Sequence, residues 1–284
     1  MNHPPQVVEK SGVMPLSPEE REELKRARQL LEHPSLTARL TDIIGTPVEK
    51  GLKLLPANWK KPVHFASEKA LRAALFMAVS TLGREPGGSP SPKLHKFFGA
   101  VSGAAGGAFG LPALAVELPL STTIMFRSVA DIARFNGEDL SAVEAKLACL
   151  QVFALGSPTT TADDGSESGY FTVRAGLAQL VGDAAQHIAK HGLADQSAPA
   201  LVRLISKLAA RFSIPVSEKL AAQAIPVVGA AGGALVNTLF MDHFQDISQG
   251  HFTVRRLERI HGAEVVRTAW EGMAEKDGGR DRRY

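Results

Sequence analysis

The hexapeptide Gly-Ala-Ala-Gly-Gly-Ala occurs twice in the chain, at residues 103–108 and 229–234. The two copies lie in segments without a charged residue, 97–116 and 221–241. Small residues spaced four apart on a helix let another backbone approach closely, and the predicted sites of such packing are Gly99, Gly103, Gly107, Gly229 and Gly233. No stretch alternates with period two. These patterns predict an all-α fold, a multi-helix bundle with two Gly/Ala-rich helical hairpins at its centre.

Both segments are long enough to cross a bilayer, but their composition favours burial within protein. About twenty apolar residues span a membrane, yet glycine and alanine add little to insertion and polar residues oppose it. Segment 221–241 also contains Gln223, Asn237 and Thr238. Hairpins buried in a soluble or peripheral protein are therefore favoured, and a membrane-inserting helical protein is the alternative.

Composition and charge exclude several classes of function. An apolar fraction of 44% and a charged fraction of 21% are typical of a folded protein. The net charge is +3 with scattered lysines and arginines, so no nucleic-acid partner is expected. The single cysteine, Cys149, excludes an internal disulfide and fits a reducing compartment. The polar N-terminal residues lack a secretory signal, so we expect a cytoplasmic protein, peripheral to or embedded in an inner membrane.

The predicted domain is a single helical unit at 17–273, which contains a Pro/Gly-rich linker at 83–92 and a polar loop at 156–169. Residues 1–16 are expected to be a flexible lead, and 274–284 a charged flexible tail.

Helix ends are predicted from capping and breaking residues. Ser17 and Glu20 form a capping box at the start of the first helix. Gly45 and Pro47 bend a helix over 35–55. Ser217 is expected to cap a further helix after one at 198–212, and a last amphipathic helix is expected from about His251 to Met273.

Two groups of motifs resemble the EcsC family, over roughly residues 35–272. The similar stretches are 106–119, which contains Glu117 and Pro119, then 126–133, 137–140, 225–234 and the run 251–258. The resemblance implies an accessory protein on the membrane side of a bacterial ABC transporter linked to protein secretion. It implies no catalytic activity and transfers no active-site residue.

Polar residues beside the apolar segments form a predicted network. Glu117 is the sole charge in its stretch, and a buried carboxylate is costly unless it is paired. The favoured interpretation is a structural polar network joining the two hairpins, made of Glu117, Thr123, Arg127, Asp131, Asn237 and Asp242. A proton-linked or catalytic carboxylate at Glu117 is the alternative.

A metal-dependent or hydrolytic site is the sharper alternative for the same region. Its candidate ligands or catalytic groups are Glu117, Asp131, Asp242, His243 and Asp246, since carboxylates and imidazoles suit metal ions. Their spacing matches no known metal motif, so no metal, no cofactor and a non-enzymatic role are expected. Asp183, His187 and His191 share a helix face, which is interpreted as a solvated face rather than a zinc site.

A basic amphipathic stretch suggests contact with a membrane. Cations outnumber acids over 35–61, and tryptophan suits a membrane interface. The membrane-surface candidates are Arg39, Lys50, Lys53, Trp59, Lys60 and Lys61. The leading hypothesis is therefore a non-enzymatic accessory protein at the cytoplasmic face of the inner membrane, with membrane lipid or a membrane protein as its partner. A helix that simply covers the core of the bundle is the alternative for this stretch.

Overall fold

A computed structural model describes residues 15–32, 36–82, 111–157, 169–193, 197–225 and 229–278. These residues form ten α-helices and no strand, which confirms the predicted all-α fold. The helices are α1 (Pro18–Glu32), α2 (Leu36–Ile44), α3 (Val48–Leu52), α4 (Lys60–Thr81), α5 (Leu111–Phe135), α6 (Val143–Leu155), α7 (Gly169–His191), α8 (Pro199–Ala224), α9 (Gly229–His261) and α10 (Ala263–Gly278).

Helix α6 occupies the centre of the described bundle. Every residue from Ala145 to Leu155 is buried, as expected for a helix that is apolar on all sides. The helices packed around it are α4, α5, α7, α8 and α9. The Gly/Ala-rich hairpins were predicted to lie at the centre of the bundle, and α6 was not.

The predicted capping box begins α1. The backbone N–H of Ser17 donates to the Glu20 carboxylate at 2.8 Å, and the N–H of Glu20 donates to the Ser17 hydroxyl at 3.2 Å. Helix α1 then packs along α9, where Gly250 lets Leu31 approach so closely that an added Cβ would lie 2.8 Å from the Leu31 Cγ. Leu16 is 5% exposed, so the packed structure begins before residue 17.

The helix predicted over 35–55 is broken where expected. Gly45 has a φ of +67°, a conformation that ends α2, and α3 begins at Val48 directly after Pro47. Helix α3 lies almost on the backbone of α8, because a Cβ on Gly51 would lie 1.9 Å from the Ala221 carbonyl oxygen. The break between α2 and α3 therefore allows the short helix α3 to change direction and pack on α8.

Two predicted helix boundaries are wrong. Helix α8 runs without interruption from Pro199 to Ala224 through Pro215, and the Ser217 hydroxyl bonds to the Ser213 carbonyl at 2.5 Å instead of capping a new helix. His251 lies inside α9, which continues to His261. The break comes at Gly262, whose φ is +87°.

Some predictions fall on parts of the chain that are not described. Gly99, Gly103 and Gly107 lie there, as do the linker at 83–92 and most of the loop at 156–169, and these predictions stay predictions. Gly229 is the first residue of α9 and Gly233 is buried. Helix α10 continues to Gly278, five residues beyond Met273, where the predicted domain ends.

Candidate functional site

The partner of Glu117 in the structure is a lysine on another helix. Lys219 Nζ of α8 lies 2.7 Å from Glu117 Oε1 of α5, and the two side chains are 0% and 9% exposed. The ammonium group also lies 5.0 Å from the centre of the Phe240 ring, a favourable cation–π position. Glu117 is therefore paired, and its partner Lys219 is not a member of the predicted polar network.

Two prolines lie within helices close to this pair. A proline inside a helix leaves the carbonyl four residues earlier without its N–H donor. For Pro119 that carbonyl belongs to Ala115, and Lys69 Nζ of α4 lies 3.2 Å from it. For Pro215 it belongs to Arg211, and the Ser157 hydroxyl donates to it at 2.6 Å. Each freed carbonyl thus receives a side-chain donor from outside its own helix.

The other predicted members of the polar network on α5 have local partners or face solvent. The Thr123 hydroxyl donates to the Pro119 carbonyl at 2.8 Å, one turn back. Asp131 lies 3.1 Å from Arg134 on the same helix, and Arg127 is exposed. Glu117 and Asp131 are separated by about 21 Å along α5, at 1.5 Å per residue. These residues therefore do not form one site.

On α9, the predicted residues also point to different neighbours. His243 Nε2 lies 2.7 Å from the Gly156 carbonyl oxygen, in the interior. Asp246 pairs with Arg39 of α2 at 2.7 Å, at a partly exposed position. Asn237 is buried and Asp242 is half-buried. A buried contact that does join α5 and α9 lies between Gln245 Nε2 and the Ser128 hydroxyl, at 2.7 Å, and was not predicted.

His243 is held in its neutral form. Its pKa is lowered to about 4, chiefly by burial and also by the charge of Arg39, while the hydrogen bond with the Gly156 carbonyl acts in the opposite direction. A neutral imidazole whose Nε2 lies against a carbonyl donates its hydrogen there. His243 thus helps to satisfy the C-terminal end of α6, together with the Arg211 guanidinium, whose Nε donates to Ala154 at 2.7 Å.

The metal and hydrolase alternative finds little support in this geometry. Glu117, Asp131, His243 and Asp246 each have a separate partner, as described above. Across the described residues, no group of three or more histidine, cysteine or acidic side chains is arranged to hold a metal ion. Asp183 faces Arg203 at 3.9 Å on the surface, and burial raises the pKa of the Cys149 thiol well above its ordinary value.

A network that the sequence analysis did not propose lies at the C-terminal half of α9. Glu138 is 5% exposed and accepts hydrogen bonds from Arg255 at 2.8 and 3.0 Å, with Arg259 contacting the same carboxylate. Burial acts to raise the Glu138 pKa, but the hydrogen bonds and charges of the two arginines outweigh it and hold the pKa below its ordinary value.

The same network extends from α9 to α7. Arg174 makes two hydrogen bonds of 2.9 Å with Glu258 and a third of 3.2 Å with the Tyr170 hydroxyl. Tyr170 in turn lies 2.9 Å from His251 Nδ1. Since a guanidinium only donates, we assign the tyrosine hydrogen to His251 Nδ1, which leaves the ring hydrogen on Nε2.

This network is structural in character. Burial lowers the His251 pKa well below its usual value, and the charges of Arg174 and Arg255 act in the same direction. Trp270 of α10 stacks on Tyr170 at 5.4 Å and donates to Glu32 of α1 at 3.1 Å. The network thus ties α1, α7, α9 and α10 together. A cavity of about 140 Å³ lies beside Tyr170 and Glu32.

A sequence signal for this network was present. His251, Arg255 and Glu258 follow the spacing i, i+4, i+7, which places them on one face of a helix. Tyr170 and Arg174 repeat the spacing i, i+4 on α7. Glu138 and the run 251–258 are among the motifs that resemble the EcsC family. The predicted start of the last helix at His251 placed that run in a separate helix, whereas it lies inside α9.

The predicted membrane-surface residues form an accessible basic stretch. Lys50, Lys53, Lys60 and Lys61 are exposed, and Leu54 between them is 58% exposed. Trp59 is half-buried and packs against the core, with Lys60 Nζ at 6.0 Å from its ring. Arg39 differs from the lysines because it pairs with Asp246.

Within the described residues, no helix combines the length and hydropathy that crossing a bilayer requires. The uncharged segment 97–116 lies mostly outside those residues.

Comparisons with known proteins identify one family. No curated protein and no solved structure shows significant similarity to the chain. The model of the EcsC protein family matches residues 19–257, a range that includes the Glu117–Lys219 pair, the two internal prolines, Glu138 and Arg255. The chain therefore belongs to the EcsC protein family.

Proposed function

We propose that this protein is a non-enzymatic accessory protein that works at the cytoplasmic face of a bacterial inner membrane. The observation that carries the proposal is the basic stretch around α3 and the start of α4. There, the exposed side chain of Leu54 is flanked in sequence by the exposed Lys50, Lys53 and Lys60. A basic surface near an anionic leaflet gains about 1 kcal/mol per lysine.

The scattered partners of the acidic residues support a binding role over a catalytic one. Glu117, Asp131 and Asp246 each pair with a cation, and the buried side chains of His243 and His251 are held neutral because their pKa values are lowered. The resemblance to the EcsC family adds an expected partner, an ABC transporter complex linked to protein secretion.

Fractionation of cells tests this proposal. The unaltered protein should sediment with membranes at low ionic strength and should be released by high salt, because salt screens contacts between exposed charges. The variant Lys50→Glu/Lys53→Glu/Lys60→Glu should move to the soluble fraction.

A matched control separates a local effect from one of total charge. The variant Lys25→Glu/Lys190→Glu/Lys207→Glu changes three exposed lysines elsewhere and alters the net charge equally, so it should remain with the membranes. An unaltered protein that stays wholly soluble at low salt would contradict the proposed function.

A further inference from the structure

The outward face of α4 carries a stripe of basic and aromatic side chains. Lys61, Phe65, Lys69 and Phe76 follow the spacing i, i+4, i+8, i+15, which places them within about a quarter turn of one another. Phe65 is 66% exposed and Phe76 is 54% exposed, and both lysines are exposed. The stripe extends for about 22 Å along the helix axis.

Helix α5 continues this face. Val116 and Leu120, one turn apart, are 72% and 54% exposed. The Lys69 ammonium group lies 3.2 Å from the carbonyl oxygen of Ala115, the residue before Val116, so the two faces lie side by side. We call this the α4–α5 surface, defined by Lys61, Phe65, Lys69, Phe76, Val116 and Leu120.

The exposed apolar side chains of α4 do not belong to the face that packs on the core. The opposite face of α4 is fully used for packing, with Val63, Ala70 and Ala74 at 0% exposure. Large contiguous apolar patches are rare on soluble monomers and mark contact with a membrane or another protein. The exposed apolar side chains on the outward face of α4 and α5 therefore indicate a surface that contacts a binding partner.

The charges of the surface favour one partner. Lys61 lies one turn before Phe65, and Lys69 lies between Phe65 and Phe76. The neighbouring acid, Glu68, already faces His64 at 3.5 Å. A twofold contact between two copies would set this basic surface against itself, which like charges oppose. Anionic lipid supplies phosphates for the lysines and an apolar layer for the phenylalanines.

We propose that the α4–α5 surface docks onto an anionic phospholipid bilayer. Phe65, Val116 and Leu120 enter the boundary between headgroups and acyl chains, while Lys61 and Lys69 extend their stems along this layer and hold the lipid phosphates. This inference rests on the proposed membrane-side function and specifies its direct contact as lipid rather than protein.

Flotation of the full chain with vesicles tests the inference. The probes are vesicles of phosphatidylglycerol and phosphatidylethanolamine, compared with vesicles of pure phosphatidylcholine. We expect binding to the anionic vesicles only. The variant Phe65→Ser/Val116→Ser/Leu120→Ser should bind them at least tenfold more weakly.

The control variant removes three exposed apolar side chains elsewhere, as Phe135→Ser/Val202→Ser/Ile260→Ser, which are 73%, 37% and 59% exposed. It should bind within twofold of the unaltered protein. Both variants should keep the melting temperature, since the substituted side chains already face solvent.

Five outcomes would overturn the inference. Equal binding by the two variants would show that the α4–α5 surface is not the contact. A lower melting temperature in the Phe65 variant alone would show that the folded chain covers the surface, and a dimer lost only in that variant would identify a second copy as the partner. A protein that fractionates with cell membranes yet ignores anionic vesicles would leave the proposed function standing through a protein partner, whereas a wholly soluble protein would contradict both.

Discussion

The ammonium nitrogen of Lys219 lies 2.7 Å from a carboxylate oxygen of Glu117, and neither side chain is more than 9% exposed. The pair joins α5 to α8 two residues before Pro119 and four residues after Pro215. In each of the two helices, the ion pair therefore lies close to the internal proline that removes one of the backbone hydrogen bonds of that helix. Removing one member of such a pair leaves an uncompensated buried charge.

Substitution of Lys219→Met should lower the free energy of unfolding by about 3–5 kcal/mol, because Glu117 then loses its counter-charge. Urea denaturation at neutral pH measures the change. The double variant Lys219→Met/Glu117→Leu should recover most of the loss, since it removes both charges. A double variant as unstable as the single one would show that packing of the lysine stem, and not the charge, is what matters.

Substitution of Ser157→Ala should cost about 1–3 kcal/mol, because the freed carbonyl of Arg211 loses its donor. In a Pro215→Ala background the helix supplies its own N–H to that carbonyl, so the same substitution should cost at least about 1 kcal/mol less. Denaturation of the four proteins of this cycle measures the coupling. Strictly additive losses would mean that the Ser157 hydroxyl does not compensate for the proline.

Stability should fall as the pH drops below about 6.5. The pKa of His243 is lowered to about 4 in the fold, so between these values the unfolded chain binds a proton that the native protein does not, which favours unfolding. At 1.36 kcal/mol per pKa unit, the loss attributable to His243 approaches about 3 kcal/mol near pH 4.

Between pH 7 and 5 the carboxylate of Glu138, whose pKa lies below its ordinary 4.5, stays ionised. Burial raises the pKa of Glu218, which opposes the decline, so comparison with a variant is what assigns the decline to His243. His251 contributes with the same sign. The variant His243→Gln should show a shallower decline in unfolding free energy over this range, and an unchanged slope would exclude His243 as a source.

Substitution of Gly51→Ala should destabilise the protein by about 2 kcal/mol or more through overpacking, since the new methyl group would overlap the Ala221 carbonyl at 1.9 Å. Gly176→Ala on α7 is the matched control, because nothing lies within 4 Å of its added Cβ. The control should stabilise the helix by up to about 1 kcal/mol. Thermal unfolding of the two variants compares them directly, and equal shifts would contradict the close contact of α3 with α8.

The sequence was most informative where one local interaction decides the structure. The Ser17 capping box, the break after Gly45 and the all-α class needed only neighbours along the chain, and all three are present. The prediction that Glu117 is paired also followed from the cost of a lone buried charge, which holds whatever the partner is.

Features that depend on distant parts of the chain were not predictable in the same way. Lys219 looks like a solvated lysine in a run of ordinary helical residues, and only its contact with Glu117 of α5 reveals its role. A cap at Ser217 was a reasonable local prediction, but Pro215 is tolerated inside α8 because Ser157, far away in sequence, supplies the missing donor.

The two tryptophans of the chain lie in different environments, one in the interior and one beside the basic stretch. Trp270 is fully buried and stacked on Tyr170, so its emission should be blue-shifted, resistant to acrylamide and lost only when α10 detaches. Trp59 is half-buried beside the lysines of the basic stretch and should respond to soluble quenchers in the native state. The unlabelled protein therefore carries two separable optical signals, one for its interior and one for whatever approaches its basic face.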